Sequence, residues 1–290
     1  MLTLFTDTDT DFTPEVAKEY GYRLISMPYA IDAKTIYPYE DFDVFDADAY
    51  YDSLRSGVLP TTGGISKARY LNYFRPEFEK GNDIFYVHFS AKMTVTFNAM
   101  NEAVEELKKE FPERKFYALD TKGITIVSYN IVREIGDMFN AGKTVEEVLA
   151  WADREILHFA QYFFADDLKF FKRSGRVKGI AATMGTLLGI RPIICMNDAG
   201  EMISIGKERG RANAIDRLVR AVEELGDDVK NHRIIIGHTG APEIAAEIER
   251  SLRARLGDDL NIETVITNPT AGAHCGPNGA GVSFHAKRRI

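Results

Sequence analysis

The chain has 290 residues, 45% hydrophobic and 27% charged, with a formal net charge of −7. Its length suits one large domain or two ordinary ones, and the acidic balance argues against a broad nucleic-acid footprint, which needs a basic surface. Two cysteines make no disulfide framework, "MLTLFTDTDTD" is no signal peptide, and no apolar run approaches the roughly 20 residues of a membrane span; a cytoplasmic protein without stable membrane insertion is expected.

In chain order, "LTLFTD" reads as a short buried strand and "TPEVAKEYGY" as a helix, with Thr13 as N-cap, Pro14 at the first helical position and Gly21 as the stop. "RLISMPYAI" reads as one strand, and the Tyr- and Asp-rich segment to Asp52 as loop plus helix. "PTTGGIS" is a turn, with Ser66 capping the next helix. The strands "DIFYVHFS" and "KFYALDT" are each followed by a helix, "FNAMNEAVEELKKEF" and the one around "SYNIVREIGDMFNAG". Strands alternating with helices indicate a parallel α/β sheet, whose ligands gather at the C-terminal ends of the strands.

After Gly142 the pattern changes. "TVEEVLAWADREILHFA" is an amphipathic helix, "QYFFADD" a strand, and "LKFFKRSGRVKG" a helix ending in basic residues. "TMGTLLGIRPIICMNDAGEMISIGKERG" reads as a turn of helix and a hairpin across "NDAG". "RIIIGHTG", a helix, "NIETVITNPTAGAH" and "GAGVSFHA" complete a second α/β unit. The expected fold class is therefore a two-domain α/β protein: a parallel sheet flanked by helices over 1–158 and a mixed α/β domain over 159–290.

"TDTDTD" is not an EF-hand calcium loop, because Phe12 and Lys18 stand where that loop needs glycine and glutamate. Asp11 also breaks the pattern of an aspartyl phosphatase. It reads as a polar loop whose aspartates turn the chain and cap the next helix, or as a site lining. Thr61 and Thr62 precede a glycine pair that could cradle an anion, without the lysine of a P-loop. Ser90 follows a strand with no nucleophile elbow around it. His274 and Cys275 are neighbours that, in extended chain, point apart. The six histidines show no metal-binding spacing. Arg173 and Arg176, with Lys207, Arg209 and Arg211, form two basic clusters that are conspicuous in an acidic chain.

In their order along the chain, "FTDTDTDFTP", "PTTGGIS", "FSAKMTVTFNAM", "LKFFKRSGRV", "RPIICMNDAG" and "GAHCGPNGAG" resemble the recurring elements of the DegV family over nearly the whole chain. The resemblance implies a carrier with no cofactor and no chemistry of its own, which binds a long-chain fatty acid between two domains. It implies the fatty-acid-binding subunit of bacterial fatty acid kinase, presenting the carboxylate to a separate ATP-dependent catalytic subunit that makes acyl phosphate for phospholipid synthesis. The carboxylate contacts it implies fall on Thr61 or Thr62, Ser90 and His274, with Gly272 and Cys275 beside them. The sequence departs from the family pattern at Gly63, Gly64 and Ile65, which replace "SQP", and at Ala91, which replaces a second serine.

That chemistry is coherent, since a carboxylate leaving water needs hydroxyl and imidazole partners. Met184, Leu187, Leu188, Ile190, Ile193 and Ile194 are the candidate acyl-chain pocket, and Arg173, Arg176, Arg209 and Arg211 a candidate docking surface for an acidic partner. The alternative reading is a small-molecule phosphotransferase or hydrolase using His274 or Asp7.

Overall fold

The computed structural model describes residues 1–179 and 189–290. Its elements run β1 (Leu2–Asp7), α1 (Pro14–Tyr20), β2 (Tyr22–Ile25), β3 (Tyr29–Ile31), β4 (Lys34–Ile36), α2 (Ala47–Arg55), β5 (Thr61–Thr62), α3 (Lys67–Glu79), β6 (Asp83–His88), α4 (Thr96–Glu110), β7 (Phe116–Asp120), α5 (Ile126–Asn140) and α6 (Val145–Glu155). They continue with β8 (Phe159–Phe164), α7 (Leu168–Ser174), β9 (Val177–Lys178), β10 (Ile190–Met196), β11 (Met202–Arg209), α8 (Arg211–Leu225), β12 (Ile234–His238), α9 (Pro242–Leu256), β13 (Ile262–Ile266), α10 (Pro269–Cys275) and β14 (Ala280–His285). A four-stranded sheet, β2-β1-β6-β7, is parallel throughout. A seven-stranded mixed sheet has the order β13-β12-β14-β8-β10-β11-β9. A small third sheet, β4-β3-β5, is antiparallel.

The caps follow from local chemistry. Thr13 accepts from the Val16 amide and Gly21 closes α1 at φ 72°, while Ser66 accepts from the Arg69 amide at the start of α3. Strands β10 and β11 pair antiparallel across "NDAG". Three sequence expectations are corrected. "RLISMPYAI" is two strands in different sheets, separated around Met27 and Pro28, and the segment after it forms a hairpin with Asp32 and Ala33 at positive φ. The helix from Val145 ends at Glu155, and Phe159 and Ala160 already belong to β8. His274 and Cys275 lie in the last turn of a helix, not in extended chain.

Helix α5 joins the two large sheets. Ile126–Val132 are buried without interruption, which a helix shows only when covered on all sides. Its start rests on β12 at Gly237, where a Cβ would come within 2.4 Å of Ile126 Cγ2, and its middle packs on α1 at Gly136, where a Cβ would meet the Tyr20 ring. Ion pairs Arg133–Glu263 at 2.9 Å and Arg233–Glu134 at 2.8 Å tie the same helix to the second sheet.

A candidate ligand cavity between the two large sheets

A cavity of about 580 Å³ opens where the strand-end loops of the parallel sheet face the inner surface of the mixed sheet. That volume is within the range of small-molecule sites. Phe89, Met93, Ile124, Ile126, Phe163 and Met202 supply its apolar wall, and Val95, 78% exposed, stands at its rim. The expected apolar lining is therefore corrected. Ile193 and Ile194 are buried in the cores on opposite faces of β10, Ile190 is half-buried at its start, and these three do not line the cavity. Met184, Leu187 and Leu188 lie outside the described residues.

The polar end is assembled by α10. Asn268 caps that helix by accepting from the Ala271 amide, and its own backbone and side-chain amides donate to Asp11 Oδ1 at 2.8 and 2.7 Å. The Tyr50 hydroxyl donates to the Pro269 carbonyl, the Tyr51 hydroxyl to the Thr267 carbonyl and the Thr270 hydroxyl to the Met27 carbonyl. These bonds aim the last turn of α10 at the end of β5, where His274 Nε2 and Thr62 Oγ1 lie 2.8 Å apart. Both residues line the cavity, with Cys275, Gly63 and Gly64 beside them.

Gly272 serves packing rather than ligand contact, which corrects its expected role. A Cβ there would lie 2.7 Å from the Tyr51 hydroxyl, and the residue is not in the cavity wall. Thr61 is exposed and paired in the small sheet, its side chain alternating away from that of Thr62. Ser90 is also corrected: its buried hydroxyl donates to the Gly200 carbonyl at 2.7 Å, outside the cavity wall.

Arg176 lines the cavity, donating from Nε to the Met93 carbonyl at 3.0 Å and from Nη1 to the Ser174 carbonyl at 3.0 Å. Arg173 clamps the loop before Thr61, donating to the carbonyls of Leu59 and Pro60, and reaches the Ala273 carbonyl at 3.5 Å. It therefore holds the Thr62 loop against α10 and is not a free surface charge. Arg209 ends β11, about 23 Å along the strand from cavity-lining Met202, and Arg211 pairs with Asp166 at 4.0 Å.

Burial, with the positive charges of Arg176 and Arg173, holds His274 down at about 4. Its imidazole is neutral near pH 7, and the two cations that resist its protonation favour an anion beside it. Burial, with the charges of Asp11 and Asp9, pushes the Cys275 thiol up to about 12, so it is no thiolate nucleophile. Asp7 is pushed up to about 7 by burial, against the bonds it accepts from the Tyr86 hydroxyl and the Phe89 and Asp9 amides, and it does not line the cavity. Among the described residues His274 has the Thr62 hydroxyl as its hydrogen-bond partner and no carboxylate on its other ring nitrogen, so the acid that orients the base of a hydrolytic triad is missing there. Among the described residues no group of three His, Cys, Asp or Glu side chains could hold a metal ion, and no helix is long and apolar enough to cross a membrane.

Sequence reasoning missed Asp9 and Gln161, both of which line the cavity. Gln161 carried no signal, being one polar residue in an aromatic strand, whereas the "TDTDTD" loop did leave a site lining open.

The model of the DegV family matches residues 1–287. A DegV domain-containing protein of Clostridium perfringens is 27% identical over 286 residues, covering 97% of this chain and 96% of the relative. Among solved structures, a fatty-acid-binding DegV protein from Thermus thermophilus superposes with a TM-score of 0.85 at 22% identity, over 98% of this chain and 99% of the other. A stearic-acid-binding protein from Eubacterium ventriosum superposes with a TM-score of 0.86 at 18% identity, again over 98% and 99%. With the family pattern running through almost every residue and the fold shared end to end, this chain belongs to the DegV family.

Proposed function

We propose that this protein binds a long-chain fatty acid in the cavity between its two lobes, divided at residue 158, with the carboxylate against Thr62 and His274. The observation that carries the reading is their 2.8 Å pair in the wall of a cavity that also presents Phe89, Met93, Ile124, Ile126, Phe163 and Met202, with Arg176 in the same wall. A carboxylate there accepts from the member of the pair that does not donate to the other, the Thr62 hydroxyl when the imidazole N–H donates to it, and the cation offsets part of its desolvation. Each buried methylene contributes about 0.8 kcal/mol, so ten of them supply on the order of 8 kcal/mol before ordering costs. Fatty-acid-binding relatives of the same fold support the ligand class. Denaturing the purified protein and analysing the released lipid by mass spectrometry tests it: a fatty acid near one equivalent is expected, and its absence after growth with added fatty acid contradicts the reading.

The finer proposal is a carrier role, in which the bound carboxylate is presented to a separate ATP-dependent kinase that makes the acyl phosphate. The lack of a carboxylate partner for His274 among the described residues and the raised thiol of Cys275 support a binding module over an enzyme. Incubated with ATP and fatty acid, the protein alone should yield no acyl phosphate, and adding the kinase should produce it. Product from the protein alone would make it the enzyme.

A further inference from the structure

The cavity contains polar groups that a plain acyl chain would leave unsatisfied. Asp9 and Gln161 line it at 6% and 4% exposure, and neither Asp9 Oδ1 nor Gln161 Oε1 has a hydrogen-bond partner among the described residues. Buried polar atoms are ordinarily paired, and two orphans in one cavity wall need an account. They flank Thr125, whose amide donates to the Asp9 carbonyl at 2.8 Å. The Thr125 hydroxyl donates to the Ile124 carbonyl at 2.7 Å and so accepts from Gln161 Nε2 at 3.1 Å. That chain of donors sets the amide orientation, because the nitrogen of Gln161 must face Thr125 and its oxygen is the atom left without a partner.

We propose that Asp9 and Gln161 form a second polar subsite within the cavity, taking a hydroxyl group carried on the acyl chain. The assignment rests on the acyl-binding reading above and adds the class of ligand, a hydroxylated long-chain carboxylic acid. A hydroxyl both donates and accepts. It donates to Gln161 Oε1, which is acceptor only, and its oxygen accepts from Asp9 when that carboxyl carries a proton. Burial, together with the charges of Asp7 and Asp11, raises Asp9 well above its ordinary range, in the direction of the acid form. A second carboxylate on the ligand would meet three buried acids instead, Asp7, Asp9 and Asp11. A plain methylene chain would leave both orphan atoms desolvated.

The test uses the full chain, stripped of lipid, and measures displacement of a fluorescent fatty acid by octadecanoic acid and by each of its monohydroxy positional isomers. One isomer, or two adjacent ones, should bind about tenfold or more tighter than octadecanoic acid, the gain of pairing a buried polar group. In Gln161→Met, which removes the acceptor at similar volume, the ratio of hydroxylated to plain affinity should fall to about one or below. If that variant fails to fold, the ratio in the unaltered protein decides alone. Octadecanoic acid bound as tightly as every isomer overturns the subsite and leaves acyl binding standing, with water satisfying the orphan atoms. Failure of all the chains to bind overturns both.

Discussion

The Thr62 hydroxyl and the His274 imidazole meet at 2.8 Å across 212 residues of chain, joining the small sheet to the last turn of α10. Removing either partner should weaken fatty-acid binding without unfolding the protein. A hydrogen bond to a charged group contributes about 1.5–3 kcal/mol, so His274→Ala and Thr62→Ala should each raise Kd roughly tenfold or more. Titration calorimetry on variants that retain cooperative unfolding checks this, and unchanged affinity would remove the pair from the head-group site.

His274 should stay neutral through most of the acid range. Held at about 4 in the fold and near 6.5 when unfolded, it binds more protons in the unfolded state between those values. Its contribution to stability is therefore present above about pH 6.5 and lost as pH falls toward 4. Imidazole NMR should show His274 without a transition above pH 5, and a midpoint near 6.5 would contradict the burial argument.

Asp11 has the opposite sign. Burial raises it from 3.8 to about 7, against the bonds from the Asn268 amides. The neutral form is favoured in the fold, so stability is full below about pH 3.8 and declines as pH rises to about 7. Asp11→Asn keeps an oxygen for Asn268, puts an amide where Oδ2 has no partner, and suits the left-handed φ of 61°. Above pH 7 the variant should be more stable by a few kcal/mol, at about 1.4 kcal/mol per pKa unit, with little difference at pH 4. Urea unfolding at both pH values measures it.

Gly272→Ala should damage binding through α10. The new methyl would sit 2.7 Å from the Tyr51 hydroxyl, so helix or ring must move, at a cost of about 1–3 kcal/mol. The displaced helix carries His274. Adding Tyr51→Phe removes the obstructing oxygen and should recover part of the affinity, at the expense of the bond to the Thr267 carbonyl. No recovery would locate the defect elsewhere.

Charge reversal should separate the arginines. Arg173→Glu breaks the clamp on the carbonyls of Leu59, Pro60 and Ala273, and should lower Tm and fatty-acid affinity together. Arg209→Glu, at the far end of β11, should change stability by no more than about 0.5 kcal/mol. Equal thermal shifts would show that the clamp contributes little.

The sequence by itself determined the parallel first sheet, the caps at Thr13 and Ser66, the hairpin across "NDAG" and the pairing of a threonine loop with "GAH". Each depends on interactions within a few residues, or on a family pattern that marks positions without needing their neighbours. Tertiary structure alone decided which of the marked residues meet. Ser90 and Thr62 both read as loop hydroxyls, yet Ser90 turns to the Gly200 carbonyl and Thr62 to His274. Gly272 read as a ligand cradle and proved to be clearance for Tyr51. The apolar run "RPIICM" is core on both faces of β10, while the cavity takes Phe89, Met93, Phe163 and Met202 from three separate segments. An apolar side chain is written the same way whether it fills a core or walls a void, because the difference lies in what stands opposite. Only the packing of α5 and α10 between the sheets settles that.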